Sequence, residues 1–164
     1  MKKIFAICLL SLLFISSTTL ETEALTFDKL PVEQTSKQWS VKLDKAKLGG
    51  TGLVKSKEGN FHRYSLKVDN IGEDVLSAEI NLFRKQPNSK TKYALFGCPD
   101  QTDCNKNRFE QSVSLAEQLN EKIPYQFHSF LLAEEASELE VEIVWTQKGS
   151  EGKPLKERFI FTSK

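Results

Sequence analysis

From Trp39 to Phe161, apolar and polar residues alternate with a period of two, the mark of half-buried strands rather than helices. Trp39, Val41 and Leu43 alternate with Ser40, Lys42 and Asp44, and Tyr64, Leu66 and Val68 with Arg63, Ser65 and Lys67. Leu76, Ala78, Ile80 and Leu82 alternate with Ser77, Glu79 and Asn81; a polar loop from Arg84 to Thr91 then leads to a short strand at Tyr93–Phe96. Phe109, Val113 and Leu115 continue the two-residue period, and Ala116–Glu121 reads as a single helical turn. Pro124 opens a strand over Tyr125–Leu132, where a missing N–H is tolerated. The clearest alternation comes last: Leu139, Val141, Ile143 and Trp145 stand between glutamates, Lys148–Pro154 turns the chain, and Leu155, Phe159 and Phe161 return. This hairpin predicts one buried face made of Val141, Ile143, Trp145, Phe159 and Phe161, with Glu140, Glu142, Lys156 and Arg158 facing out.

The N-terminus breaks the alternation. Lys2 and Lys3 precede an apolar run from Ile4 to Ile15 interrupted only by Ser11, and Thr22 and Ala24 supply small residues at −3 and −1 of a cut. This is the pattern of a secretory signal at residues 1–24, leaving one domain at 25–164. As a helix the apolar run rises only about 18 Å against a hydrocarbon core of ~30 Å, so no stable membrane span is expected after cleavage. Cys8 lies inside that run behind Ile7, not behind a small residue as in a lipoprotein. Export is the expectation.

Turn chemistry at Leu48-Gly49-Gly50-Thr51-Gly52 and Asp69-Asn70-Ile71-Gly72 separates the strands. Roughly 8–9 short strands without a long helix indicate an all-β sandwich or barrel. Leu66-x-Val68-x-Asn70-x-Gly72 resembles the L-x-V-x-N-x-G pattern of bacterial immunoglobulin-like modules, and the hairpin around Trp145 and Phe161 resembles their closing strand pair. The resemblance covers about half of the exported chain and implies an immunoglobulin-like antiparallel β-sandwich. Cys98 and Cys104 depart from the inter-sheet disulfide of antibody domains, being too close in sequence to bridge two sheets.

Composition narrows the function classes. The exported part has a net charge near zero, against the strongly basic footprint of a nucleic-acid binder. Basic residues concentrate in Lys42–Lys57 and Arg84–Lys92, and acidic ones in Glu134, Glu135, Glu138, Glu140 and Glu142. Solvated strand faces account for that unevenness as well as two opposed charged faces do. In an oxidising compartment Cys98 and Cys104 read as a structural disulfide pinning a loop, worth roughly 2.4 kcal/mol on a chain-entropy argument. Redox catalysis would want C-x-x-C at a helix N-terminus, which is absent.

Asp100, Asp103 and Asn105 offer oxygens, but calcium needs six to eight and the EF-hand spacing is missing. His62 and His128 are too dispersed to supply the three protein ligands of a zinc site. His62 shares parity with Tyr64 and borders the core; His128 shares its face with Gln126 and Phe130. No metal or cofactor is therefore expected. There is no G-x-S-x-G, and the Gly49–Gly52 turn lacks a phosphate loop's lysine. Phe127, Phe130, Trp145, Phe159 and Phe161 fit a core better than a sugar-stacking platform.

These readings converge on a secreted, non-enzymatic binding protein. Its expected surface is the loop region holding Tyr93, Phe96, Asp100, Asp103 and Arg108, because loops on rigid sandwiches commonly carry binding. Its expected partner is an extracellular or envelope protein or a wall polymer. Two alternatives stand beside it: a lipocalin-like barrel enclosing a small apolar ligand, and an envelope hydrolase or hydrolase inhibitor.

Overall fold

A computed structural model describes residues 27, 29–46, 61–96, 107–150 and 152–162. Within them lie β1 (Val32–Thr35), β2 (Trp39–Lys45), β3 (Phe61–Asn70), β4 (Val75–Lys85), β5 (Lys92–Ala94), α1 (Arg108–Asn120), β6 (Tyr125–Ala133), β7 (Glu138–Gln147) and β8 (Leu155–Phe161). The strands form two four-stranded sheets, ordered β1-β2-β3-β6 and β5-β4-β7-β8, with every pairing antiparallel. The chain is an all-β sandwich. Its central triplets, β2-β3-β6 against β4-β7-β8, follow the strand order of the immunoglobulin Greek key, with α1 in the crossover that leads into β6. Two sheets with open edges replace the closed barrel that a lipocalin-like arrangement requires. Residues 1–26, and the loop holding Cys98, Asp100, Asp103 and Cys104, lie outside the described residues.

The core is built from the predicted alternations. Trp39, Val41, Leu43, Leu66 and Val68 from one sheet meet Leu139, Val141, Ile143, Phe159 and Phe161 from the other, all buried. Trp39 and Trp145 touch edge to face across the sandwich, ring centroids 5.5 Å apart. The last hairpin has the expected register, Val141 opposite Phe159 and Trp145 opposite Leu155. Its outer face departs from expectation. Glu140 is buried, because Lys92 and Arg158 close over it, while Leu155 at the start of β8 is left exposed.

Three further expectations are corrected. Phe109, Val113 and Leu115 are not a strand: they belong to α1, which extends about two turns further at its N-terminal side than the single turn expected at Ala116–Glu121. The helix buries Ser112, Ala116 and Leu119, spaced i, i+4, i+7, so its inward stripe is mostly small and Phe109 is left exposed. In β4, a bulge between Val75 and Ser77 makes Val75 the fully buried residue in place of Leu76. In β6, Tyr64 pairs with Phe130 but Leu66 with Phe127, so His128 and Ser129 together oppose Ser65. That bulge reverses the parity of the strand: Phe130 turns inward, away from the face of Gln126 and His128.

Helix α1 covers the edge of β4 that the three-residue β5 leaves bare. Arg108 Nη2 lies 2.7 Å from Glu79 Oε2, and Asn120 both accepts from the Val75 N–H (3.0 Å) and donates to the Val75 carbonyl (2.9 Å), as a neighbouring strand would. The helix ends in a Schellman motif, with Ile123 N–H on the Gln118 carbonyl and Lys122 N–H on that of Leu119. Lys122 takes the left-handed position usually given to glycine (φ 62°), and its Nζ reaches the carbonyls of Asn70 (3.2 Å) and Gly72 (3.4 Å).

At the same end of the sandwich, Asn70 is 2 % exposed and ties four segments together. Its Oδ1 accepts from Gln38 Nε2 (2.8 Å) and Gly72 N (3.1 Å); its Nδ2 donates to the Glu73 carbonyl (3.1 Å) and Asn120 Oδ1 (3.3 Å). Gly72 is a packing requirement, since a Cβ there would sit 2.5 Å from Gln38 Oε1. The L-x-V-x-N-x-G stretch is thus two core residues, a buried hydrogen-bond hub and a close approach.

Candidate functional site

The structure distributes the residues expected to bind. Tyr93 lies on β5 under the Arg84 guanidinium, 5.3 Å from its ring centroid. Arg108 is held by Glu79 at the start of α1. Phe96 crosses to the other sheet, its ring stacked on Phe127 at 4.9 Å and 13° and meeting Phe130 steeply, at 6.5 Å and 72°. Of the three, Phe96 borders a cleft, of about 400 Å³, lined by Arg63, Leu95, Phe96, Ser129, Phe130 and Leu131. Phe96 stays 51 % exposed and Leu131 41 %. Arg63 and Leu131 escape sequence reasoning because they join Phe96 only through the β3–β6 pairing.

This cleft runs along β6, an edge strand of its sheet among the described residues. Proteins usually protect such edges with charge, proline, brevity or a bulge, and of these β6 has the bulge at His128–Ser129. The other edge strands conform: β1 has four residues, β5 has three, and β8 carries Lys156, Glu157 and Arg158. The nine residues of β6, YQFHSFLLA, include no lysine, arginine, aspartate or glutamate.

The opposite open side, between β1 and β8, holds a cleft of about 650 Å³ lined by Phe27, Lys29, Val32, Gln34, Ile160 and Phe161 among others. It is bridged by Gln34 Nε2 donating to the Ile160 carbonyl at 2.8 Å. Outside the second sheet, the acidic segment meets bases instead of forming an acidic face. Lys85 lies 3.3 Å from Glu138, Lys92 2.7 Å from Glu140, Arg158 3.3 Å from Glu140 and 3.2 Å from Glu142, and Lys156 3.1 Å from Glu142. Burial raises the Glu142 carboxyl, but hydrogen bonds and positive charge from Lys156 and Arg158 outweigh it and hold the group below the ordinary glutamate range. His62 borders the core as expected, in contact with Tyr64 and 3.5 Å from Glu134. Among the described residues no three histidine, cysteine, aspartate or glutamate side chains converge as a metal site, and no helix is long and apolar enough to cross a membrane.

A family model described as YozF-like secreted protein matches residues 23–164, all of the described sandwich. The chain belongs to the YozF-like secreted protein family. A relative in Bacillus subtilis (strain 168), described as uncharacterized protein YozF, is 48 % identical over 142 residues, covering 87 % of this chain and 84 % of that protein. No solved structure matches. As a YozF-like protein the chain is secreted, in agreement with its N-terminal pattern. The matching family is not described as an immunoglobulin-like module, so the likeness at Leu66–Gly72 stands at the level of strand order.

Proposed function

We propose that this YozF-like protein is a non-enzymatic binding module that takes an extended segment of another extracellular protein along β6 and Phe96. The observation that carries this reading is the charge-free edge of β6 beside a half-exposed aromatic ring. An edge strand offers main-chain donors and acceptors to an added strand, and the cleft between Phe96 and Leu131 offers a place for an apolar side chain of the same partner. Phe96 is held by its stack on Phe127, so little side-chain freedom is lost on binding. The non-enzymatic part carries forward the expectation from the sequence, and hydrolase activity detected in the purified secreted protein would overturn it.

Photocrosslinking tests the surface. A photoreactive residue at position 96 or 131 of the secreted protein, in its own culture, is expected to trap one protein partner that Phe96→Asp releases. The same probe at position 156, on the outer face of β8, is expected to trap none. Equal products from all three positions, or none from 96 and 131, would overturn the proposal.

A further inference from the structure

The outer face of the first sheet carries a charge arrangement unlike that of the second. Register aligns Glu33, Lys42, Lys67 and Gln126 in one row across β1, β2, β3 and β6, which sets Lys42 directly opposite Lys67. Like charges facing each other across a strand pair destabilise a sheet. The acids nearby do not fully compensate. Glu33 accepts from Ser40 Oγ at 2.7 Å, Asp44 from the Lys45 N–H at 2.7 Å, and Asp69 pairs with Lys67 at 2.9 Å. Lys42 makes no ion pair among the described residues, whereas Glu138, Glu140 and Glu142 on the second sheet all meet a base.

The two lysines share a depression of about 350 Å³ with Lys45, Asp44, Gln126 and His128. Three ammonium groups therefore face one carboxylate in its lining. The β6 bulge borders it: ordinary alternation exposes Gln126 and His128 side by side, and beyond the bulge Phe130 turns into the core. Bulges recur where a strand must re-aim a side chain.

We propose that this depression is an anion site that takes a phosphate group, with Lys42 and Lys67 as its main contacts and Gln126 and His128 as flanking donors. The inference is independent of the partner assigned to β6 and Phe96. Charge selects the anion: two facing ammonium groups, Lys42 and Lys67, match the dianionic charge of a phosphate better than the single charge of a carboxylate. A bound dianion also removes the repulsion between Lys42 and Lys67, so binding and stability are coupled.

The test uses the secreted protein with three probes: inorganic phosphate, linear polyphosphate and polyglutamate, followed by calorimetry and by amide NMR shifts. Polyphosphate is expected to bind with shifts centred on Lys42, Lys67, Gln126 and His128, and to raise the melting temperature. Lys42→Met and Lys67→Met should each weaken binding at least tenfold, and Lys42→Met alone should raise the melting temperature of the free protein at low salt. Lys156→Met, a matched loss of charge on the other face, should leave binding within twofold. Polyphosphate held far more tightly than inorganic phosphate assigns a polymer as the source, and similar affinity per phosphate assigns the free anion; both support the site. Absence of binding, an equal loss from Lys156→Met, or polyglutamate bound as tightly as polyphosphate would overturn it.

Discussion

Replacing Asn70 by alanine would remove four hydrogen bonds that join the β1–β2 turn, β3, the β3–β4 turn and the end of α1. At a net value of about 1 kcal/mol each, their simple sum is about 4 kcal/mol. The partners, however, keep second contacts. Gln38 Nε2 still reaches the Glu73 carbonyl at 2.6 Å, Gly72 N–H still donates to the Gln38 carbonyl at 3.1 Å, and Asn120 Oδ1 still accepts from Val75 N–H at 3.0 Å. No partner is orphaned, so the expected cost falls to roughly 2–3 kcal/mol. Urea unfolding with an unchanged m-value measures it. Asn70→Asp sharpens the test, because it keeps the shape but turns a carboxylate oxygen toward two acceptors, the Glu73 carbonyl and Asn120 Oδ1. The charged form is disfavoured there, so the folded-state pKa of the new aspartate rises above its unfolded value of about 3.9. Stability linked to a raised pKa is present at low pH and is lost as pH climbs through the folded value. Asn70→Asp should therefore lie nearer the parent protein at pH 3 than at pH 7. A loss below about 0.5 kcal/mol for Asn70→Ala, or a pH-independent gap for Asn70→Asp, would refute the hub.

In the last hairpin, Phe161→Ala should cost about 3–5 kcal/mol in denaturant unfolding, and Leu155→Ala on the same strand less than about 0.5 kcal/mol. Glu142 is depressed by Lys156 and Arg158, so its contribution is present above the unfolded glutamate pKa and lost as pH falls through the folded one; Glu142→Gln should flatten that acid limb of the stability profile. Gly72→Ala should lower stability in urea unfolding by about 1–3 kcal/mol, because the added Cβ forces the buried Gln38 side chain aside and lies 3.0 Å from its Cα. Intact-mass analysis of protein from culture medium should give a chain starting at Leu25; a species retaining residues 1–24 would contradict the cleavage site.

What the sequence determined by itself is what depends on local backbone geometry. Side chains alternate strictly along a strand, so a run such as Leu139-Glu140-Val141-Glu142-Ile143 declares both a strand and its buried face before any partner is known. The same holds for Trp39–Leu43 and Tyr64–Val68, and the signal region likewise needs no partner to be read. Helix α1 was hidden because its buried stripe, Ser112, Ala116 and Leu119, is largely small, while Phe109 and Val113 mimic a period of two. Its run of good helix formers, Glu117, Gln118 and Leu119 among them, was the signal available. Other features exist only after distant segments meet. Glu140 is buried because Lys92, 48 residues away, closes over it; Phe96 becomes a rim because Phe127 lies beneath it; His128 and Phe130 part company because β3 accepts a bulge in its neighbour. Alternation follows from the covalent chain, whereas burial of a charge, the parity beyond a bulge and the face on which lysines gather depend on strand pairing, and so were decided by the tertiary structure.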